Sequence, residues 1–159
     1  MELLREIIQS HSSFGVGVGL PLGNLTSQLF VNVYLNELDQ YIKHSLKVKY
    51  YIRYADDFVI LSKDKEHLES ICLEVGNFLA ENLKLALNLD KTSVHTLASG
   101  IDFLGYVIFP RHIVLRTKTK RRMMARVNEK NLPSYLGILQ HCDGHELTEK
   151  IRELIENKV

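Results

Sequence analysis

Apolar residues change their spacing several times along the chain, and each change marks an element. Leu3, Leu4, Ile7 and Ile8 share one stripe at a 3.6-residue spacing, which predicts a short amphipathic helix over residues 1 to 10. Residues 14 to 23 hold Gly15, Gly17, Gly19, Gly23 and Pro21, a loop suited to unusual dihedrals or to close approach of a ligand. Leu29, Phe30, Val33, Tyr34 and Leu38 then recur at three and four and predict a helix from about Thr26 to Lys43. From Lys47 the period drops to two: Val48, Tyr50, Ile52 and Tyr54 face one way, and Lys47, Lys49, Tyr51 and Arg53 the other. That is a strand. A second β-rich run, Phe58 to Leu61, follows two poor strand formers, so a hairpin is expected with Asp56 and Asp57 at its tip. Asp64 is placed to cap a helix running to about Leu83, with Leu68, Ile71, Cys72, Val75, Phe78 and Leu79 on one face.

The second half is punctuated more often. Residues 88 to 93 read as a polar turn, 94 to 97 and 103 to 109 as short strands, and Gly100 and Gly105 as turns or points of close backbone approach. Pro110 is expected to end that sheet region, with one more short strand from Ile113 to Leu115. Helices are expected in the basic segment that follows, over 135 to 140 and over 146 to 157, the last two separated by Asp143-Gly144. The order predicts an α+β fold. A subdomain junction is placed near Arg116 to Lys118, which divides the chain into residues 1 to 115 and 116 to 159.

Composition narrows the class. With 159 residues, 45% hydrophobic and 25% charged, the chain has room for one ordinary globular core. No apolar run approaches the roughly 20 residues of a membrane span. Glu2, Arg5 and Glu6 break the pattern of a signal peptide, so a cytoplasmic protein with no membrane partner is expected. Cys72 and Cys142 form no disulfide framework or paired zinc motif, and Cys72 falls on a helix's apolar face. The segment His141-Cys142-Asp143-Gly144-His145 carries metal-capable side chains without a second cluster to complete four zinc ligands, and reads as a loop. The net charge of +1 hides an asymmetry: residues 111 to 130 hold eight Lys and Arg against Glu129 alone, a local +7 that leaves −6 for the rest. A basic segment joined to an acidic site is compatible with nucleic-acid binding, although a solvated Arg-rich helix start has the same composition.

Two adjacent carboxylates at a hairpin tip repel one another, and a bound divalent cation removes the conflict. Hard carboxylate oxygens suit Mg²⁺, and two-metal sites hold ions about 3.5–4 Å apart for phosphoryl transfer. Because successive strand residues point to opposite faces, one of Asp56 and Asp57 should be the primary ligand and the other secondary.

Four boxes in order resemble the reverse transcriptase family. Tyr54-Ala55-Asp56-Asp57 matches its Tyr-x-Asp-Asp box, which implies that Asp56 and Asp57 are catalytic and that Asp56 binds catalytic metal. Gly19-Leu20-Pro21-Leu22-Gly23-Asn24-Leu25-Thr26-Ser27-Gln28 matches the upstream box that contacts template and incoming nucleotide, implying such roles for Gly19, Pro21, Gly23, Asn24, Ser27 and Gln28. Asn88-Leu89-Asp90-Lys91-Thr92 looks like the next box, with Lys91 near the triphosphate. Phe103-Leu104-Gly105-Tyr106 looks like the turn that grips the primer, which carries Phe103, Leu104 and Gly105. The resemblance implies a polymerase palm over residues 1 to 115 and a thumb fragment over 116 to 159. It also implies that Lys118, Lys120, Arg121, Arg122 and Arg126 track the nucleic-acid backbone. RNA template, DNA primer and deoxynucleoside triphosphates are the partners it implies, and Mg²⁺ the cofactor.

Leu22-Gly23-x-x-x-Ser27-Gln28 resembles the variant found in reverse transcriptases of bacterial diversity-generating retroelements, which work with a small accessory protein; group II intron-like enzymes share much of the pattern. The family needs a further Asp on a strand upstream of the Gly loop and basic fingers residues. Eighteen residues precede Gly19, and their acids are Glu2 and Glu6. The chain is therefore expected to be part of a polymerase, holding half of a metal cage and inactive by itself. The alternative is a non-catalytic module that binds RNA or a partner protein through its basic end.

Overall fold

The computed structural model describes Glu6 and residues 25 to 156. Of the expected N-terminal helix only Glu6 is described, and it is helical. The glycine-rich loop, with Gly19, Pro21, Gly23 and Asn24, lies outside the described residues. Helices and antiparallel sheets mix in an α+β arrangement, with two compact units that divide between Thr92 and Ser93.

In the first unit, helix α1 (Leu25–Gln40) runs into a widened π turn (Tyr41–Ser45), followed by β1 (Tyr50–Tyr54), β2 (Asp57–Leu61) and α2 (Lys65–Asn82). Asp64 caps α2 as its sequence position predicts, its side chain accepting from the Glu66 amide at 2.9 Å. Ile71, Val75 and Leu79 of α2 are buried against Leu35, Leu38 and Ile42, with Val48 and Leu83 closing the cluster. Each such side chain contributes about 1.5–3 kcal/mol by leaving water. Tyr41 stacks on Phe78 at 4.2 Å between ring centroids, and the Tyr34 hydroxyl donates to the Leu83 carbonyl at the end of α2.

The buried face of α1 differs from the expected stripe. Leu29 and Val33 are 60% and 64% exposed, and the inward series is Val31, Leu35, Leu38 and Ile42. Both series have helical spacing, because α1 carries apolar residues on most of its circumference. Contact with α2 selects between them.

In the second unit a 3₁₀ turn (Leu97–Ser99) leads into β3 (Ile101–Phe103), β4 (Tyr106–Ile108) and β5 (Ile113–Leu115), then α3 (Thr117–Arg126), α4 (Leu132–Leu139) and α5 (His145–Glu156). The three strands form one antiparallel sheet in sequence order. Residues 94 to 97, expected as a strand, are not one, and the run from 103 to 109 is broken by a turn at Leu104-Gly105. Pro110 sits in the connection between two paired strands rather than at the end of the sheet. Local β propensity carried the expected strand over 94 to 97, while Gly105, one of the glycines read as a turn or a close approach, does turn the chain, with positive φ there and at Leu104. Leu115, Met123, Val127, Leu139, Leu147 and Ile151 form the core, so the sheet packs with the helices that follow it. Residues 141 to 144 are turn and loop before α5.

Candidate active site

The register of β1 and β2 puts Tyr54 opposite Asp57, leaving Ala55 and Asp56 as a two-residue turn. The tip is therefore one residue earlier than the sequence pattern suggests: Asp56 stands in the turn and Asp57 opens β2. Both are exposed, and among the described residues neither carboxylate takes part in an ion pair or a side-chain hydrogen bond. Two carboxylates with uncommitted oxygens suit a hard divalent cation. Groups of three or more His, Cys, Asp or Glu able to hold a metal are absent among the described residues.

Ala55 has φ of +52°, a left-handed conformation that costs a non-glycine residue roughly 1–3 kcal/mol and persists where neighbours enforce it. The neighbour is Arg53. Its guanidinium donates to the Ala55 carbonyl at 2.7 Å and to Asn32 Oδ1 at 3.0 Å, while Nε donates to Asp39 Oδ1 at 2.8 Å and a terminal nitrogen to Asp39 Oδ2. The Tyr51 hydroxyl adds a third donor to Asp39 at 2.6 Å. Burial pushes the Asp39 carboxyl up, but the bonds from Arg53 and Tyr51 outweigh it and hold the group below the ordinary carboxylate value. Burial and the bond to Asp39 push the Tyr51 phenol up, so it stays a donor. Asn32 and Asp39 lie on α1, so this helix is tied to the turn through one side chain.

Ser27, in the first turn of α1, is buried, and Gln28 beside it is exposed. The segment with Lys91 is a closed turn: the Asn88 carbonyl accepts from the Lys91 and Thr92 amides, both at 3.0 Å, and Asn88 Oδ1 from the Asp90 amide at 3.1 Å. Lys91 is exposed on it.

The Phe103-Leu104-Gly105-Tyr106 segment is a two-residue hairpin whose central residues both have positive φ, +52° at Leu104 and +87° at Gly105. Glycine meets that demand without cost, and leucine does not. Leu104 is exposed at the tip. Arg116 braces the turn, its amide donating to the Gly105 carbonyl at 2.9 Å and its guanidinium pairing with Asp102 at 3.4 Å. Beyond it, α3 places Lys118, Lys120, Arg121, Arg122 and Arg126 on the surface, with Met123 fully buried. A shallow groove is lined by Thr117, Lys120, Arg121, Met124 and Ala125. Lys118 and Lys120 in the first helical turn oppose the macrodipole, whereas Arg126 in the last turn complements it.

Residues 5 to 108 match the family model for reverse transcriptase (RNA-dependent DNA polymerase), a span that contains both hairpin tips. The chain belongs to the reverse transcriptase family. It is 33% identical to Protein YkfC of Escherichia coli (strain K12) over 55% of this chain and 32% of that protein. It is 34% identical to the group II intron-encoded protein LtrA of Lactococcus lactis over 70% of this chain and 17% of that protein. Protein P of a hepatitis B virus isolate is 28% identical over 62% of this chain and 12% of its own length. The chain thus spans a third or less of the curated relatives it matches. These matches carry the family, an RNA-directed DNA polymerase family, and leave the diversity-generating branch a matter of sequence resemblance.

In this member of the family the expected site residues divide between the units. Ser27, Gln28, Asp56, Asp57 and Lys91 belong to the first, and Phe103, Leu104, Gly105 and the basic helix to the second. Asn32, Asp39 and Arg53 were not singled out by the sequence. The signal available was an arginine alternating with Tyr51 on one of the two faces of the strand; the structure turns that face onto α1.

Proposed function

We propose that this chain supplies part of the palm and thumb of an RNA-directed DNA polymerase, with Asp56 the primary ligand for a divalent cation and Asp57 its support. The observation that carries this reading is the hairpin: a strained two-residue turn presents Asp56 at its apex, with Asp57 next to it and neither carboxylate neutralised by a protein cation among the described residues. Mg²⁺ held there would supply positive charge to a phosphoryl group in transfer.

The chain's own residues do the positioning. Ser27 and Gln28, where α1 begins, are assigned to template and incoming nucleotide, and Lys91 to the triphosphate, whose negative charge its ammonium offsets. Phe103, Leu104 and Gly105 are assigned to the primer end. The cations of α3 follow the phosphate backbone without reading sequence. Residues up to about 115 would serve as palm and those from 116 as thumb. RNA template, DNA primer and deoxynucleoside triphosphates are the proposed partners, and a small accessory protein is proposed on the resemblance of the Leu22-Gly23 box alone. No helix among the described residues is long and apolar enough to cross a membrane.

The test is primer extension on an RNA template with Mg²⁺. The 159-residue chain is expected to be inactive by itself, because the reaction needs a further Asp beside Asp56 and Asp57. Joined to a segment carrying an apolar-apolar-Asp strand, it should extend a primer, and Asp56→Asn should abolish extension. Extension by the chain alone that Asp56→Asn abolishes would overturn the expectation of inactivity.

A second reading rests on the destabilising placement of cations at the start of α3: a non-catalytic module binding RNA or a partner protein. RNA affinity that falls steeply with salt and ignores Mg²⁺ and Asp56→Asn favours it.

A further inference from the structure

The guanidinium of Arg53 meets two elements at once. On one side it grips α1 through both oxygens of Asp39 and through Asn32 Oδ1; on the other it holds the carbonyl of Ala55, the residue immediately before Asp56. Its side chain is 8% exposed, so its part-buried bonds to Asp39 and Ala55 are replaceable only at a cost, while the bond to Asn32 is exposed. Ala55 is in a conformation that an alanine does not choose, and the bond to its carbonyl is the side-chain contact that opposes relaxation. Asn32 lies on α1 between Asp39 and the first turn that carries Ser27 and Gln28.

We propose that Arg53 is a positioning residue that makes the geometry of the Asp56 turn depend on helix α1. A displacement of α1 along its axis moves Asn32 and Asp39 together, and through the planar guanidinium moves the Ala55 carbonyl and the peptide that follows it. Occupancy at the start of α1 is thereby communicated to the carboxylate in the turn, so that the metal-binding geometry is set when that end of α1 is engaged. A lysine at 53 keeps the charge and loses the fork that reaches three partners at once. The inference rests on the polymerase reading for what Asp56 does, but not for the linkage itself.

The experiment uses the full chain, ¹⁵N-labelled, with two readouts. Amide hydrogen exchange is compared between the Tyr54–Asp57 turn and the α2 core at Ile71, Val75 and Leu79, and Mn²⁺ is added to record paramagnetic broadening. In Arg53→Lys, turn exchange should rise roughly tenfold or more with core exchange nearly unchanged, since a hydrogen bond to a charged group is lost locally. Mn²⁺ should broaden Asp56 and Asp57 in the parent chain, and broadening at the same Mn²⁺ concentration should be weaker in Arg53→Lys. Asn32→Ala, which removes an exposed contact, should shift the Ala55 and Asp56 amide resonances with the core unmoved. Should Arg53→Lys fail to fold, Asn32→Ala decides by that shift. Turn exchange that rises only in step with the core, or an Asn32→Ala spectrum unchanged at Ala55 and Asp56, overturns the linkage. Absence of Mn²⁺ broadening at Asp56 in the parent chain counts against the metal site instead, and leaves the exchange comparison to judge Arg53.

Discussion

Arg53 and Asp39 face each other as a fork on a carboxylate, with Nε to Oδ1 at 2.8 Å and a second nitrogen to Oδ2, joining strand β1 to helix α1 on the inner face of the hairpin. Removing one partner leaves the other's charge in a partly buried place. Asp39→Asn is expected to cost about 3 kcal/mol, because it strands the Arg53 charge at 8% side-chain exposure, and Arg53→Met less, because the Asp39 carboxylate it leaves behind is 26% exposed and keeps the Tyr51 donor. Urea unfolding of the two variants measures the difference. Equal costs would show that the two stranded charges reach water equally well.

The same carboxylate sets an acid limit. Asp39 is held below its ordinary value of 3.8 in the folded chain, so its contribution is complete above the unfolded carboxylate range and is lost as pH falls through the lower, folded value. The urea midpoint should be flat near neutrality and fall below about pH 4. In Asp39→Asn that part of the acid fall should shrink, the arm of the curve that Arg53, Tyr51 and Lys43 support.

Ala55 offers a test of stored strain. At φ of +52° a glycine is at ease and a β-branched side chain is not. Ala55→Gly should be neutral or stabilising by up to about 1 kcal/mol, while Ala55→Val should destabilise by roughly 1–2 kcal/mol. Thermal melts resolve the two. If both variants lower stability equally, the cost lies in side-chain packing and not in the backbone.

Gly100 combines a φ of +87° with crowding, since a Cβ there would lie 2.6 Å from Val107 Cγ1 and 2.9 Å from the Phe109 ring. Gly100→Ala should cost about 2–3 kcal/mol from strain and overpacking together. At Gly105, which has the same φ but whose Cβ would meet its nearest atom, Thr119 Oγ1, at 3.4 Å, alanine should cost less. Chemical denaturation gives the order of the two, and reversal of that order would discount the crowding.

Lys118 lies in the first turn of α3, where a cation opposes the helix dipole. Lys118→Glu should raise stability by roughly 0.3–1 kcal/mol and weaken RNA binding. Replacing both Arg121 and Arg122 by alanine should reduce the salt slope of single-stranded RNA binding by about 1.4, at roughly 0.7 per phosphate contact. Fluorescence anisotropy across a salt series reads both effects. An unchanged slope removes this surface from the interface.

Much of this was legible along the chain. The period of two before Asp56 and the period near 3.6 after Asp64 placed the hairpin and its helix, because backbone geometry imposes those repeats on any segment with one buried face. The Asp64 cap follows from purely local hydrogen bonding, and the four boxes identified the family because they are short and contiguous. What depends on distant partners was not legible. Leu38 of the expected stripe is buried, but α1 has apolar residues on both helical series, so only packing against α2 buries Leu35 beside it while leaving Leu29 and Val33 in water. The alternation in β1 shows two faces without saying which is inner, and the contact with α1 turns Tyr51 and Arg53 inward. The turn at Gly105 was marked by its glycine, whereas the β propensity of residues 94 to 97 predicted a strand that the folded chain does not form. By itself the sequence determined that two aspartates stand at a hairpin in a chain of the reverse transcriptase family. Tertiary structure decided that Asp56 occupies the turn, and that a guanidinium spanning strand and helix holds it there, because that bond joins residues more than a dozen positions apart whose proximity exists only once the chain has folded.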